Sequence, residues 1–498
     1  MQKDVSGSPR QDSTVSISGP HTASSSRSLL ITLAVVLVAD FMDLIDATML
    51  SIAAPIIATD LQSSDAALQW MIVSYTLALG AALITGGRIG DQFGRRRVFL
   101  IGLAGSTLAT VGSAFAPSMA VLIATRVLQG LATGLMLPQS LAIIRSSFEP
   151  EARAKAFGAY GAVLGLAAVA GPLLGGFLAD ANLFGLGWRA IFWVNVVIGA
   201  VTLIVGAWVL PESRAPGGTQ FDLPGAGLAA SVAVLVLLPL VQGSDWGWPW
   251  WSFVLLALSI PTAVAFIMRE RHLVAHGGQP ILNPVLLQVR AFSSGLLISL
   301  LFFGAIGAFF LLLSLYLQLG TGRTALDTSL IILPYAIGSL VTSGIGVQFA
   351  TRAGRVLLVS GALMLAASQA LLLFVVGEAT NPSYWALAIP LFVGGLGIGL
   401  TAPVLVNVIL AGVPAKDAGA ASGVLTTVSQ VGGAVGVAVL GLLFFNVLNA
   451  SFAAAASPLA AYSAAFSAIL PWQIACYGVA AALMLLLPRR AISDAPQE

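Results

Sequence analysis

Fourteen apolar segments of helix length run through the chain, at 29–57, 66–86, 98–116, 119–141, 155–179, 190–210, 225–242, 250–268, 292–318, 328–348, 356–377, 383–411, 418–446 and 469–487. About 20 residues rising 1.5 Å each cross a hydrocarbon layer of about 30 Å, and every segment comes to about that length. Lipid offers the backbone no hydrogen-bond partner, so a segment of this kind must satisfy its amides internally, as an α-helix. The expected fold class is therefore all-α and integral to the membrane, with 14 transmembrane helices. A water-soluble fold is excluded, because 58% hydrophobic and 8% charged residues over 498 positions would leave a large sticky surface.

The basic residues orient these helices, since Lys and Arg in short loops stay on the cytoplasmic side. Nineteen of the 22 fall in tails and alternate loops on one side, while only Arg189 and Arg323 fall on the other and Arg126 lies inside the fourth segment. Both termini are expected in the cytoplasm, which requires an even helix count. Residues 1–27, polar and rich in Ser, read as a disordered cytoplasmic tail without signal-peptide features, and 489–498 as a second tail. The net charge of +2 is what topology demands and carries no nucleic-acid signal. The lone Cys476 reads as a small buried hydrophobe and permits no disulfide framework.

Polar interruptions at Pro211 to Pro224 and Arg269 to Arg290 bracket two helices and leave six on either side. The expected organisation is 6+2+6: a six-helix bundle over 28–210, a linker with two inserted helices over 211–290, and a second bundle over 291–488. An internal echo agrees. The run Gly87-Arg88-Ile-Gly-Asp91-Gln-Phe-Gly94-Arg95 returns as Ala350-Thr351-Arg352-Ala-Gly354-Arg355, with Gly94 and Gly354 260 residues apart. Thr351 stands where Asp91 would align, so only the first copy keeps its acid. The stretch Arg269 to Arg290, with His272 and His276, reads as a solvated connector rather than a metal site. Trp246, Trp248, Trp250 and Trp251 crowd the outer end of the inserted pair, where indoles anchor at the lipid–water boundary.

Asp40, Asp43 and Asp46 lie inside the first apolar segment. An ionised carboxylate at the centre of a membrane helix costs about 2.5 to 3.5 kcal/mol, so three are kept only where they face water or protein. At about 100° per residue they fall within an arc of about 120°, forming one acidic stripe expected to line a pathway. Arg126, deep in the fourth segment, needs a partner, and its depth is compatible with Asp43 and Asp46. A desolvated set of carboxylates can exchange protons in steps belonging to the set, and the same groups can receive a cationic substrate.

Other chemistry is missing. None of Lys3, Lys155 and Lys416 follows a glycine as a phosphate loop requires, and no His-Glu-x-x-His occurs, so neither nucleotide hydrolysis nor intramembrane proteolysis is expected. The chain is not read as an enzyme. It needs an external energy source, here the proton motive force, and no cofactor.

Five stretches carry a family resemblance. Ile45-Asp46-Ala-Thr48 through Pro55, the turn Gly87 to Arg97, Arg126-Val-Leu-Gln129-Gly130, Gly171-Pro172-Leu-Leu-Gly175-Gly176, and the pair Trp188 to Gly199 and Ala418 to Gly433 together resemble the fourteen-helix drug:proton antiporters of the major facilitator superfamily. Ser51 stands where that branch usually has Asn, Gln92 replaces a common Arg, and Ala167 replaces an upstream glycine of the fifth-helix motif. Asp40 and Asp43 lie outside the signature and rest on the physical argument alone. The resemblance implies two pseudo-twofold related bundles working by alternating access. It implies a cytoplasmic gate loop at Gly87, Arg88, Asp91, Gly94, Arg95 and Arg96, proton coupling through Arg126 and Gln129 with the aspartates, and an export-associated motif at Gly171, Pro172, Gly175 and Gly176. The implied partners are protons, the bilayer and a hydrophobic, drug-like substrate, with the chain working as a monomer in the cytoplasmic membrane. An exporter of one metabolite or lipid-like compound shares every motif, and a nutrient:proton importer is the nearest reading of opposite direction. Arg outnumbers Lys 19 to 3, which suits a GC-rich bacterial genome.

Overall fold

A computed structural model describes residues 26–214, 222–243, 245–276, 278, 280, 286–378, 381–410, 413 and 418–487. Most of the two tails, at 1–25 and 488–498, lies outside the described residues, as do Lys416 and parts of the 211–290 linker. Fourteen helices among the described residues are long and apolar enough to cross a bilayer. They are α1 (Ser26–Asp60), α2 (Asp65–Phe93), α3 (Arg95–Ala114), α4 (Met119–Ser147), α5 (Pro150–Ala181), α6 (Arg189–Val209), α7 (Leu223–Gln242) and α8 (Trp250–Ala275). The rest are α9 (Arg290–Gly320), α10 (Ala325–Gly346), α11 (Ala353–Gly377), α12 (Tyr384–Leu410), α13 (Ala418–Ala453) and α14 (Pro458–Met484).

Several helices outrun their apolar segments because polar caps, which hydropathy does not register, satisfy the first amides. Ser64 accepts from Ala67 N at 3.2 Å and Ser457 from Ala460 N at 3.3 Å. The turn expected over Gly87 to Arg97 is almost absent: α2 continues through Phe93 and Gly94 alone reverses the chain into α3. At φ 110° Gly94 occupies backbone space that L side chains rarely enter, and a Cβ there would lie 2.6 Å from Glu212 Oε1. Gly87, by contrast, is inside the helix, and a Cβ would meet Pro138 at an ordinary 3.6 Å. The echo motif forms no loop either. Helical structure runs from α10 into α11 with a single kink at Ala353, φ −134° and ψ 24°. The connector expected from Arg269 starts later, since α8 stays helical to Ala275 and carries His272.

Helices α1 to α6 pack among themselves, as do α9 to α14, and the two groups meet through α5 on α10, α2 on α13 and α1 on α9. Helix α7 lies against α2 and α13, and α8 packs on α7. Asp222 ties this inserted pair at its base, capping α7 through Gly225 N at 3.0 Å and pairing with Arg269 Nη2 at 2.6 Å. Burial pushes the Asp222 carboxyl up, but the Arg269 guanidinium and the Gly225 amide outweigh it and hold it below the usual carboxylate range. Trp246 and Trp250, at the other end of the pair, remain exposed.

The two ends of the molecule pack differently. At the end remote from Arg95 to Arg97, one apolar cluster joins both groups, running from Ile45 and Met49 of α1 to Leu312 and Leu315 of α9 and Phe444 of α13. At the basic end the core divides into two clusters. One holds Val36, Phe99, Met136 and Ile143 from the first six helices, the other Phe292, Leu358, Val404 and Met484 from the last six. Polar contacts reinforce the sealed end: Gln318 Nε2 donates to Ile52 O at 2.8 Å, Leu326 N to Asp180 Oδ2 at 2.8 Å, and Asn449 Nδ2 to Asp65 Oδ2 at 3.2 Å. The apolar core is thus continuous across both groups at one end and divided between them at the other.

Candidate functional site

The acidic stripe of α1 is spread over three sets of neighbours, because its arc of about 120° turns each carboxylate toward a different contact. Asp46 Oδ2 accepts from Arg126 Nη1 at 2.5 Å and from Gln129 Nε2 at 3.1 Å, both on α4, while its Oδ1 accepts from Asn195 Nδ2 of α6 at 3.0 Å. Gln129 Oε1 in turn accepts from Arg126 Nη1 at 2.7 Å. The pair is sealed, with side-chain exposures of 1% for Arg126 and 2% for Asp46. Two charges so enclosed persist because they neutralise each other and because amide groups bond the remaining lone pairs.

Tyr75 of α2 extends this group. Its ring lies 4.2 Å from the Arg126 guanidinium carbon, and its hydroxyl donates to Asp43 Oδ1. Asp43 is half-buried, whereas Asp40 and Asp46 are enclosed. Asp40, six residues below Asp46 toward the basic end, accepts from Ser140 Oγ at 2.7 Å. The stripe therefore does not present three carboxylates side by side to one open pathway.

The α2–α3 turn is held by its own residues, by α6 and by the linker. Asp91 accepts from Arg95 Nη2 at 2.8 Å and Nε at 3.1 Å, across the chain reversal at Gly94. Arg95 N donates to Ser213 O at 2.9 Å, and Arg96 N to Glu212 Oε1 at 3.2 Å, just beyond α6. The Arg96 side chain reaches Ala207 O, and Arg88 reaches Pro280 O in the connector.

The Gly-Pro-Leu-Leu-Gly-Gly run makes α5 narrow on two faces. A Cβ at Gly171 would lie 1.8 Å from Thr48 Oγ1, and one at Gly175 2.8 Å from Met49 Cα, so both glycines let α1 approach. Gly176 faces the other way, where a Cβ would lie 2.2 Å from Ser329 Oγ on α10. Pro172 offers its carbonyl to Ser329 Oγ at 2.6 Å. The motif thus joins the two groups at their sealed end.

Sequence reasoning missed the partners Tyr75 and Ser140, and saw Asn195 only as part of a pattern. Asn195 was findable: an amide inside an otherwise apolar spanning helix has to face protein. Tyr75 carried no such signal, since tyrosine is ordinary near membrane boundaries.

Comparison with known proteins places this geometry. A model of the Major Facilitator Superfamily matches residues 36–437. A probable actinorhodin transporter of Streptomyces coelicolor is 40% identical over 84% of this chain and 72% of its own length. The puromycin resistance protein of Streptomyces alboniger is 37% identical over 82% and 80%. A tetracenomycin C resistance and export protein of Streptomyces glaucescens is 34% identical over 83% and 75%. Among solved structures, a peptide transporter POT in complex with sulfate superposes with a TM-score of 0.64 at 16% identity, covering 91% of this chain and 93% of that one, which shows the shared fold. The extent of the family match, the level of identity and the fourteen-helix architecture together mean that the chain belongs to the Major Facilitator Superfamily.

Proposed function

We propose that this protein is a proton-coupled antiporter that exports hydrophobic, drug-like molecules, cationic ones included, across the cytoplasmic membrane by alternating access. The observation that carries the reading is the enclosed Asp46–Arg126 pair with Gln129 and Asn195, linked through Tyr75 to the half-buried Asp43. A proton or a cation arriving at these carboxylates changes the charge balance around Arg126, and a shift in helix packing is the inexpensive response. Asp40, on the same stripe, belongs to the coupling set. The names of the relatives, which include resistance and export proteins, support outward transport of small molecules.

In this reading both termini and the α2–α3 turn are cytoplasmic. Residues 28–210 and 291–488 are the two moving bundles, and 211–290 carries the inserted pair. Gly87 to Arg96 act as the cytoplasmic gate loop, and Gly171 to Gly176 as a hinge that closes the outer side. The conformation is then closed to the outside and separated on the cytoplasmic side. A single chain suffices, with the proton motive force as energy source.

A second reading, export of one specific metabolite, is favoured by the transporter name of the relative 40% identical to this chain. Everted vesicles separate the two. Addition of ethidium, puromycin and a panel of unrelated hydrophobic drugs is expected to dissipate the respiration-driven pH gradient, with loss of the effect in Asp46→Asn. Response to one compound alone would favour the metabolite reading. Uptake that survives a protonophore, or persists in Asp46→Asn, would overturn proton coupling.

A further inference from the structure

Asp40 does not share the situation of Asp46. It is 2% exposed, yet no Lys or Arg among the described residues pairs with it. Its Oδ1 accepts from Ser140 Oγ, and its Oδ2 is buried without a hydrogen-bond partner. Of the titratable groups, Tyr160 of α5 and Asp43 of α1 lie near the same carboxyl. The same part of the first group holds the apolar cluster of Val36, Ala39, Phe99, Met136 and Ile143. Arg126 is committed to Asp46, six residues or about 9 Å further along α1.

We propose that Asp40 is a second proton-binding carboxyl, structurally independent of the Asp46–Arg126 pair. The argument is one of compensation. A buried ionised carboxylate persists when a cation or several donors hold it, and Asp46 has both. Asp40 has one hydroxyl donor, Ser140, and no cation among the described residues, so a bound proton is the available means of removing its charge. When the proton leaves as hydrated H⁺, the carboxylate stays behind with Ser140 as its donor.

For its role in transport this inference rests on the antiport reading above. Exchange of one proton for one monovalent cation moves no net charge, whereas a second proton makes each cycle move one. One charge crossing about 100 mV is worth about 2.3 kcal/mol, so voltage alone then drives export.

Infrared spectroscopy of the purified protein in lipid, titrated with pH, reads the carboxyl without any substrate. A carboxylic-acid carbonyl band is expected that titrates, disappears in Asp40→Asn and persists in Asp46→Asn. A titration of Asp40→Asn superimposable on the wild type would overturn the proposal. If Asp40→Asn does not fold, Ser140→Ala and Tyr160→Phe must each shift the band or its titration, and failure of both to do so overturns it equally. In proteoliposomes at zero pH difference, tetraphenylphosphonium efflux driven by a potassium diffusion potential should be lost in Asp40→Asn while the pH-driven efflux of the same variant remains. Voltage-driven efflux retained in Asp40→Asn would count against a second transported proton. Loss of the infrared band in a protein that moves no substrate would instead uphold the carboxyl and sink the transport reading.

Discussion

Replacing Asp46 with Asn removes one negative charge from a site with 1% exposure at Arg126 and leaves the guanidinium with Gln129 Oε1 and the Tyr75 ring as its remaining contacts. The amide also turns one acceptor into a donor facing groups that already donate, Arg126 Nη1, Gln129 Nε2 and Asn195 Nδ2. Breaking a buried pair by neutralising one member costs about 3–5 kcal/mol, most of it the stranded charge rather than the lost bond. Removing both charges strands nothing. Asp46→Asn combined with Arg126→Gln should therefore recover most of that loss while still failing to couple protons. The assay is a double-mutant cycle on unfolding in lipid or detergent micelles, run alongside drug-driven proton movement in vesicles. A single-variant cost below about 1 kcal/mol, or a double variant no more stable than Asp46→Asn, would refute the reasoning, because it would mean that water already reaches the pair.

Two further perturbations follow from the packing. Gly171→Ala puts a methyl 1.8 Å from Thr48 Oγ1 and should abolish stable expression or transport, whereas Gly158→Ala, with nothing within 4 Å, should be neutral or stabilising by up to about 1 kcal/mol; thermal unfolding of the two variants decides. The Asp222 carboxyl titrates lower folded than unfolded, so the tie to Arg269 contributes stability at and above the ordinary carboxylate range and loses it as pH falls through the folded value. Protection against hydrogen exchange at the start of α7, corrected for the intrinsic pH dependence of exchange, should accordingly fall on acidification in the wild type and be low and pH-independent in Asp222→Asn.

Fourteen spans, the concentration of positive charge in alternate loops, and the need for Asp40, Asp43, Asp46 and Arg126 to avoid lipid were all legible in the sequence. Each follows from transfer between water and hydrocarbon, a property of a segment and its neighbours in the chain. Which carboxylate Arg126 takes was not legible. Neither were the amide of Asn195, the ring of Tyr75, the turn resting on Gly94 alone, the kinked run from α10 into α11, or the sealed and separated ends. Helices that are apolar on every side carry no amphipathic face, so their rotation and choice of neighbour are not written in any local pattern. Those were decided when close-packed glycines and buried polar groups found mutually compatible partners across the bundle.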